Sequence, residues 1–255
     1  MRSIRLAVLV LIAPLFAAAG ALAPPARAAP NPKTRIAKSV GSPSQGRLVG
    51  GRPLAPSPEL RLIGYHRWGV PELAGMVERA AARVAAAHPG AVLTVGDLSR
   101  EGGGDVGGHR SHESGRDVDL GFYLRDAKGR PTHAARFATI DPEGRAKGLG
   151  AVSFDDAANW SLVAALLTDR EARVLQIFVA DPLRTRLLRA AARMGAPARL
   201  RERAARVMLQ PRHALPHDNH FHVRIGCPRA SPQCRAFARP AKVTKARALA
   251  RRGPR

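Results

Sequence analysis

"GGHRSHESGRDVDLGFYL", residues 107–124, changes character halfway. Its first half sets His109 and His112 among glycines, serines and charges. Its second half alternates: Val118, Leu120 and Phe122 fall on one side of an extended chain, and Asp117, Asp119, Gly121 and Tyr123 on the other. That pattern predicts a strand with an apolar side and a side carrying two carboxylates, entered from a glycine-supported turn that holds His112. A second stretch, "HFHVRIG" (220–226), alternates in the same way, with His220, His222 and Arg224 opposite Phe221, Val223 and Ile225. At a rise of about 3.3 Å per residue the two histidine α-carbons lie about 7 Å apart with parallel side chains. Pairing of the two strands brings His112, Asp119 and His222 round three sides of a tetrahedron, the fourth being left to water. Three protein ligands and one open position make a catalytic zinc site, whereas four protein ligands make a structural one.

Plainer readings compete. A lone histidine on a strand is most often a surface or satisfied residue, and Asp117 and Asp119 could be solvated or paired with Arg116 and Arg110. Against this, five of the nine histidines fall in the two short clusters. Two histidines and a carboxylate also describe the facial triad of non-haem iron. That triad commonly uses His-x-Asp, while six residues separate His112 from Asp119 here, so zinc is the better match.

Around these stretches the chain reads as α+β, with a small antiparallel sheet and flanking helices in one domain. Pro71 opens a helix that Pro89-Gly90 ends, "AVLTVGDLS" (91–99) is a strand candidate, and residues 125–150 are a polar excursion. "DDAANWSLVAALLTDRE" is a helix capped by Asp155 or Asp156, "VLQIFVA" (174–180) a buried strand, and Asp181-Pro182 starts a helix that Gly195 stops. The domain is expected over residues 47–236, after a flexible lead-in at 29–46 rich in Pro, Ser and Gly and before a basic, disordered tail at 237–255.

Residues 1–28 read as an export signal: Arg2 and Arg5, an apolar run from Leu6 to Ala23, and the small-x-small site Ala26-Arg27-Ala28. No later segment is apolar for long enough to span a bilayer, which predicts a periplasmic protein with no membrane insertion once the signal is cleaved. Cleavage removes three arginines and no acid from a formal charge of +23. So positive a chain favours polyanions, and export makes nucleic acid the poorest of them, leaving anionic lipid or an acidic wall polymer. In an oxidising compartment Cys227 and Cys234, the two cysteines of the chain, are expected to form a disulfide.

"GDLSREGGGDVGGHRSHESGRDVDL" (96–120) and "LPHDNHFHVRIGCPRASPQC" (215–234) resemble the two motif blocks of the penicillin-insensitive murein endopeptidase family. That family is one of the zinc peptidases sharing an H-x(6)-D … H-x-H signature, with lysostaphin-type and D-Ala-D-Ala peptidases as relatives. The likeness extends more loosely from about Arg47 to Cys234. It implies His112, Asp119 and His222 as zinc ligands, His220 and His217 as histidines near the water and the scissile carbonyl, and His109 as a further active-site histidine. It implies cross-linked peptidoglycan as substrate, cut between D-alanine and diaminopimelate. No glutamate lies beside the His-x-His block, so the general base falls to His220 or His217, or to Asp218 if it turns inward. His220 is favoured because its strand aims it where His222 is aimed. The competing class is a zinc-dependent wall-binding module without turnover, and a weaker one is an exported basic protein with incidental histidines.

Overall fold

The computed structural model describes residues 36–212 and 214–237. The export signal and all of the basic tail but Phe237 lie outside them. Eight strands matter here: β1 (Lys38–Ser42), β2 (Gln45–Val49), β3 (Leu60–Leu62), β4 (Leu93–Val95), β5 (Asp117–Gly121), β6 (Val174–Phe178), β7 (Met208–Leu209) and β8 (His220–Ile225). The helices are α1 (Pro71–Ala87), α2 (Asp156–Leu167), α3 (Asp181–Arg193) and α4 (Ala198–Val207). The main sheet has six strands in the order β7-β6-β8-β5-β4-β3. Its three central pairings are antiparallel, and the pairs at either edge, β6 with β7 and β3 with β4, are parallel. The fold is α+β, as the mixed pattern predicts.

One face of this sheet makes the core. Val118 and Leu120 of β5 and Phe221, Val223 and Ile225 of β8 are at most 1 % exposed and join one cluster with Leu73, Met76, Val77, Leu162 and Leu166 of the helices. The helices start where the sequence places them. Pro71 and Pro182 stand in first turns, where no intrahelical N–H is lost, and Asp155 caps α2 by accepting from the amides of Ala157 and Ala158.

The start of the domain differs from expectation. Residues 38–49, placed largely in a lead-in, form the β1–β2 hairpin around a turn at Pro43-Ser44. The hairpin lacks a strong apolar alternation because polar contacts hold it. Gly41 donates to the carbonyl of Gln233 and accepts from the amide of Arg235, and the Ser39 amide donates to Ser231 Oγ. Cys227 and Cys234 form the expected disulfide, with α-carbons 5.7 Å apart, and so close the loop on which the hairpin docks. The excursion at 125–150 also carries structure: the short strand Leu124–Arg125 pairs with Pro131–Thr132 on one side and with Ser153–Phe154 on the other.

Arg116 joins these parts. It is fully buried, and it turns away from the carboxylates. Nε donates to Ser39 Oγ (2.9 Å), one terminal nitrogen to the Ile225 carbonyl (3.2 Å) and the other to the Arg235 carbonyl (2.7 Å). One guanidinium therefore fastens the hairpin, the end of β8 and the chain beyond the disulfide. Arg116→Met should leave two buried acceptors, Ser39 Oγ and the Ile225 carbonyl, and the partly buried Arg235 carbonyl without a donor, and cost about 3 kcal/mol. A urea midpoint lowered at unchanged slope would report this loss, and a midpoint equal to wild type would show that the hairpin docks without the guanidinium.

Candidate metal centre

Strands β5 and β8 pair in the register that sets His222 opposite Asp119, Arg224 opposite Asp117 and His220 opposite Gly121. The face opposite the core is therefore a row of charge and imidazole. It is not solvated: Asp117 is 0 %, Asp119 3 % and His222 6 % exposed. The loop carrying His109 and His112 lies against it. His112 has a φ of +75°, the sole non-glycine residue with positive φ among those described. The left-handed backbone costs about 1–2 kcal/mol. The Ser99 hydroxyl donates to the His112 carbonyl and accepts from the Gly115 amide, pinning the turn that drives the ring into the interior.

The ring nitrogens are assigned by their partners. His112 Nδ1 is 2.9 Å from the Leu98 carbonyl, which can only accept, so Nδ1 carries the proton and Nε2 presents a lone pair. His222 Nε2 is 3.0 Å from Asp117 Oδ1 and its Nδ1 3.0 Å from Asp119 Oδ1, so the ring donates from both nitrogens. Nδ1 is the one that faces His112 and would give up its proton to a metal. His112 Nε2 and His222 Nδ1 are 3.2 Å apart, and Asp119 Oδ1 lies 3.0 Å from His222 Nδ1 and 3.4 Å from His112 Nε2. A tetrahedral cation with ligands at 2.0–2.1 Å needs donor separations of about 3.3 Å. The residues present fit a small divalent metal, and both histidines already have the outer hydrogen bonds that orient metal ligands.

The other three sequence-singled histidines surround this triangle. His109 offers a second triad with His112 and Asp119, whose ligand atoms lie within 4.8 Å of one another. The triangle through His222 is the tighter of the two. His109 Nδ1 is 3.6 Å from the other oxygen of Asp119, and its Nε2 is 3.3 Å from Asp97 Oδ2. His220 Nε2 is 3.5 Å from Asp119 Oδ1, and its Nδ1 is 2.6 Å from Asn219 Oδ1. The His217 ring stands 5.2 Å from that of His220 and 6.1 Å from that of His222, and His217 Nδ1 is buried with no partner among the described residues. Asp218 is fixed by its backbone, its carbonyl accepting from the Ile140 amide.

Charge follows from these contacts. Burial opposes the charge of Asp119, yet the facing His112 and His222 hold its pKa well below the ordinary value. Burial lowers the His222 imidazolium, but its hydrogen bonds to Asp117 and Asp119 outweigh that and raise it to about 9 without a metal. His220 goes the other way: burial pushes it down to about 4 against the attraction of Asp119, so it is a neutral imidazole at pH 7. Burial also lowers His217. The bond to Asp97 raises His109 against the cost of its own burial.

Sequence reading missed several supports. Asp117 had been read with Asp119 as one polar face, but its role as the anchor of both His222 and Arg224 (2.6 Å) depends on strand register. Phe178 of β6 stacks on His222 at 5.2 Å, and Phe137 of the excursion stacks on His220 at 5.0 Å, with interplanar angles of 16° and 18°. A β-carbon at Gly96 would stand 2.7 Å from the Phe137 ring and one at Gly121 3.0 Å from it, so two glycines leave the slot for that ring.

The comparisons with known proteins agree with the geometry. The family model described as "Penicillin-insensitive murein endopeptidase" matches residues 39–247, wider at both ends than the expected domain. Proteins of that name from Haemophilus influenzae and Escherichia coli are 26 % and 28 % identical to this chain over 206 and 229 residues, or 78 % and 88 % of its length. The alignments span 66 % of the H. influenzae protein and 79 % of the E. coli one. A Shigella boydii protein of the same name is likewise 28 % identical over 229 residues. With its match over most of the chain, this protein belongs to the penicillin-insensitive murein endopeptidase family.

Proposed function

We propose that this protein is a zinc-dependent endopeptidase that hydrolyses peptide cross-links of peptidoglycan, at the bond between D-alanine and diaminopimelate. The observation that carries the reading is the convergence of three ligand-type atoms, 3.0–3.4 Å apart, beside an imidazole kept neutral by burial. His112, Asp119 and His222 hold the metal. When bound, zinc supplies Lewis acidity, which makes water acidic enough to ionise near neutral pH and polarises an amide carbonyl.

The remaining chemistry belongs to side chains. His220 donates Nδ1–H to Asn219, so its Nε2 lone pair faces the site and takes the proton of the attacking water. The same nitrogen then returns that proton to the leaving amine. Phe137, stacked on the ring, fixes its direction. His109, held by Asp97 and raised in pKa, brings positive charge to the developing oxyanion. His217 lines the wall beside His220 and is the second candidate base. The export signal read at residues 1–28 supports a periplasmic place of action, and among the described residues no helix is long and apolar enough to cross a membrane.

The deciding experiment is digestion of purified cross-linked muropeptide dimers by the mature protein, read by mass spectrometry with and without a chelator. Monomers are expected only without chelator, returning when zinc is restored. Intact dimers in both arms, with one metal still bound per chain, would instead favour a wall-binding module.

Ligand identity is separable from catalysis. His112→Ala, Asp119→Ala and His222→Ala should each lose bound metal, measured by elemental analysis, together with all activity. His109→Ala should keep one metal per chain, and its loss there would move His109 into the ligand set. His220→Ala should keep the metal and lose about 10²–10⁴-fold in kcat. Full turnover by that variant would transfer the base role to His217. Phe137→Ala should lower kcat by about tenfold at unchanged metal content, with Phe137→Tyr restoring most of it.

A further inference from the structure

The end of β8 remote from the histidines opens into a cleft of about 1220 Å³. Arg170 and Arg173, between α2 and β6, line it, with Arg206 from α4 and Arg229 from within the disulfide loop. All four are exposed, and none makes an ion pair among the described residues. Three acids also line it: Asp169 and Glu171 share Arg79, at 2.8 and 2.9 Å, and Glu72 makes no ion pair among the described residues. The ends of the chain add no further acid. All nineteen acidic residues lie between Glu59 and Asp218, so the segments before residue 36 and after residue 237 contribute no acidic side chain. Four exposed arginines from three separate parts of the chain thus line one cavity, with Arg203 bonded there to the Leu167 carbonyl, and the arginines outnumber the acids of the lining. Guanidinium groups pair with carboxylates through two parallel N–H···O bonds, a fit that a random basic surface does not provide.

We propose that this cleft is a second anion-binding site, which takes free carboxylates of the peptidoglycan mesh while the metal centre cuts at the other end of the same strand. The proposal rests on the peptidoglycan reading above. His222 and Ile225 are three residues apart on β8, about 10 Å along the strand. Carboxylates recur along the cross-linked polymer, so a chain held at the cleft meets its next cross-link at a raised effective concentration. Attachment through the cleft adds to retention on the polymer without touching the chemistry.

The test is co-sedimentation of the full mature protein with purified insoluble sacculi on ice, beside cleavage of a small soluble dimer. The variant R173E/R206E/R229E is compared with R67E/R189E/R193E, which reverses three exposed arginines outside the cleft and changes net charge equally. The cleft variant should lose at least tenfold in retention and the control less than twofold, both cleaving the soluble dimer at the wild-type rate. Single reversals R173E and R229E, each expected to lose about threefold, give the answer if the triple variant does not fold. Equal losses in the two triple variants would reduce the effect to net charge and overturn the proposal. Amidation of the sacculus carboxylates should lower wild-type retention to that of the cleft variant. Unchanged retention on amidated sacculi, with displacement by soluble polyphosphate, would assign the cleft to phosphate polymers and overturn it equally. A wild type that is retained but leaves the dimer intact refutes the enzymatic reading alone, because the retention difference still reads the cleft.

Discussion

The pairing of β5 with β8 is the constraint on which the rest depends. With His222 opposite Asp119, one face of the pair is all imidazole, carboxylate and guanidinium, and the other is Val118, Leu120, Phe221 and Val223. A slip of one residue would send the donor atoms into the core and the core residues into the site. The hydrophobic demand of the core therefore fixes the geometry of the donors, and no separate device is needed to align the two strands. Burial of the polar face is then tolerable because nearly every charge meets a partner: Asp117 takes His222 and Arg224, and Asp119 takes His112 and His222.

How much could be read beforehand follows from the kind of signal. Period-two alternation in "DVDLGFYL" and "HFHVRIG" exposes both strands and the side each histidine takes, and the long helices announce themselves through Pro71, Asp155 and Pro182. The candidate ligands His112, Asp119 and His222 come from the family likeness and from pairing the two strands on paper, and the register of β5 with β8 does set His222 opposite Asp119. The β1–β2 hairpin was not legible, because what holds it is Ser39, Gly41 and backbone contacts to a loop nearly two hundred residues away. Helix α4 is short and mostly arginine and alanine, so it carries little apolar pattern. Phe137 and Phe178 look like ordinary hydrophobic residues until the fold sets them flat against imidazoles.

The two histidines of the His-x-His pair show how position overrides residue type. They are two residues apart on one strand and each stacks on a phenylalanine. His222, hydrogen-bonded to two carboxylates, is held toward its protonated form, while burial holds His220 neutral against the attraction of Asp119. Two imidazoles of one strand thus take opposite charge states according to the groups that surround each.

The latch built on Arg116 ends beside the disulfide. Its third acceptor is the carbonyl of Arg235, the residue next to Cys234, and the hairpin is bonded to the same segment. Closure of the eight-residue ring limits where that carbonyl and the hairpin's backbone partners can stand. The covalent bond thus reaches the sheet through one guanidinium, and a change in the ring would be felt at Ser39 and at the end of β8 together.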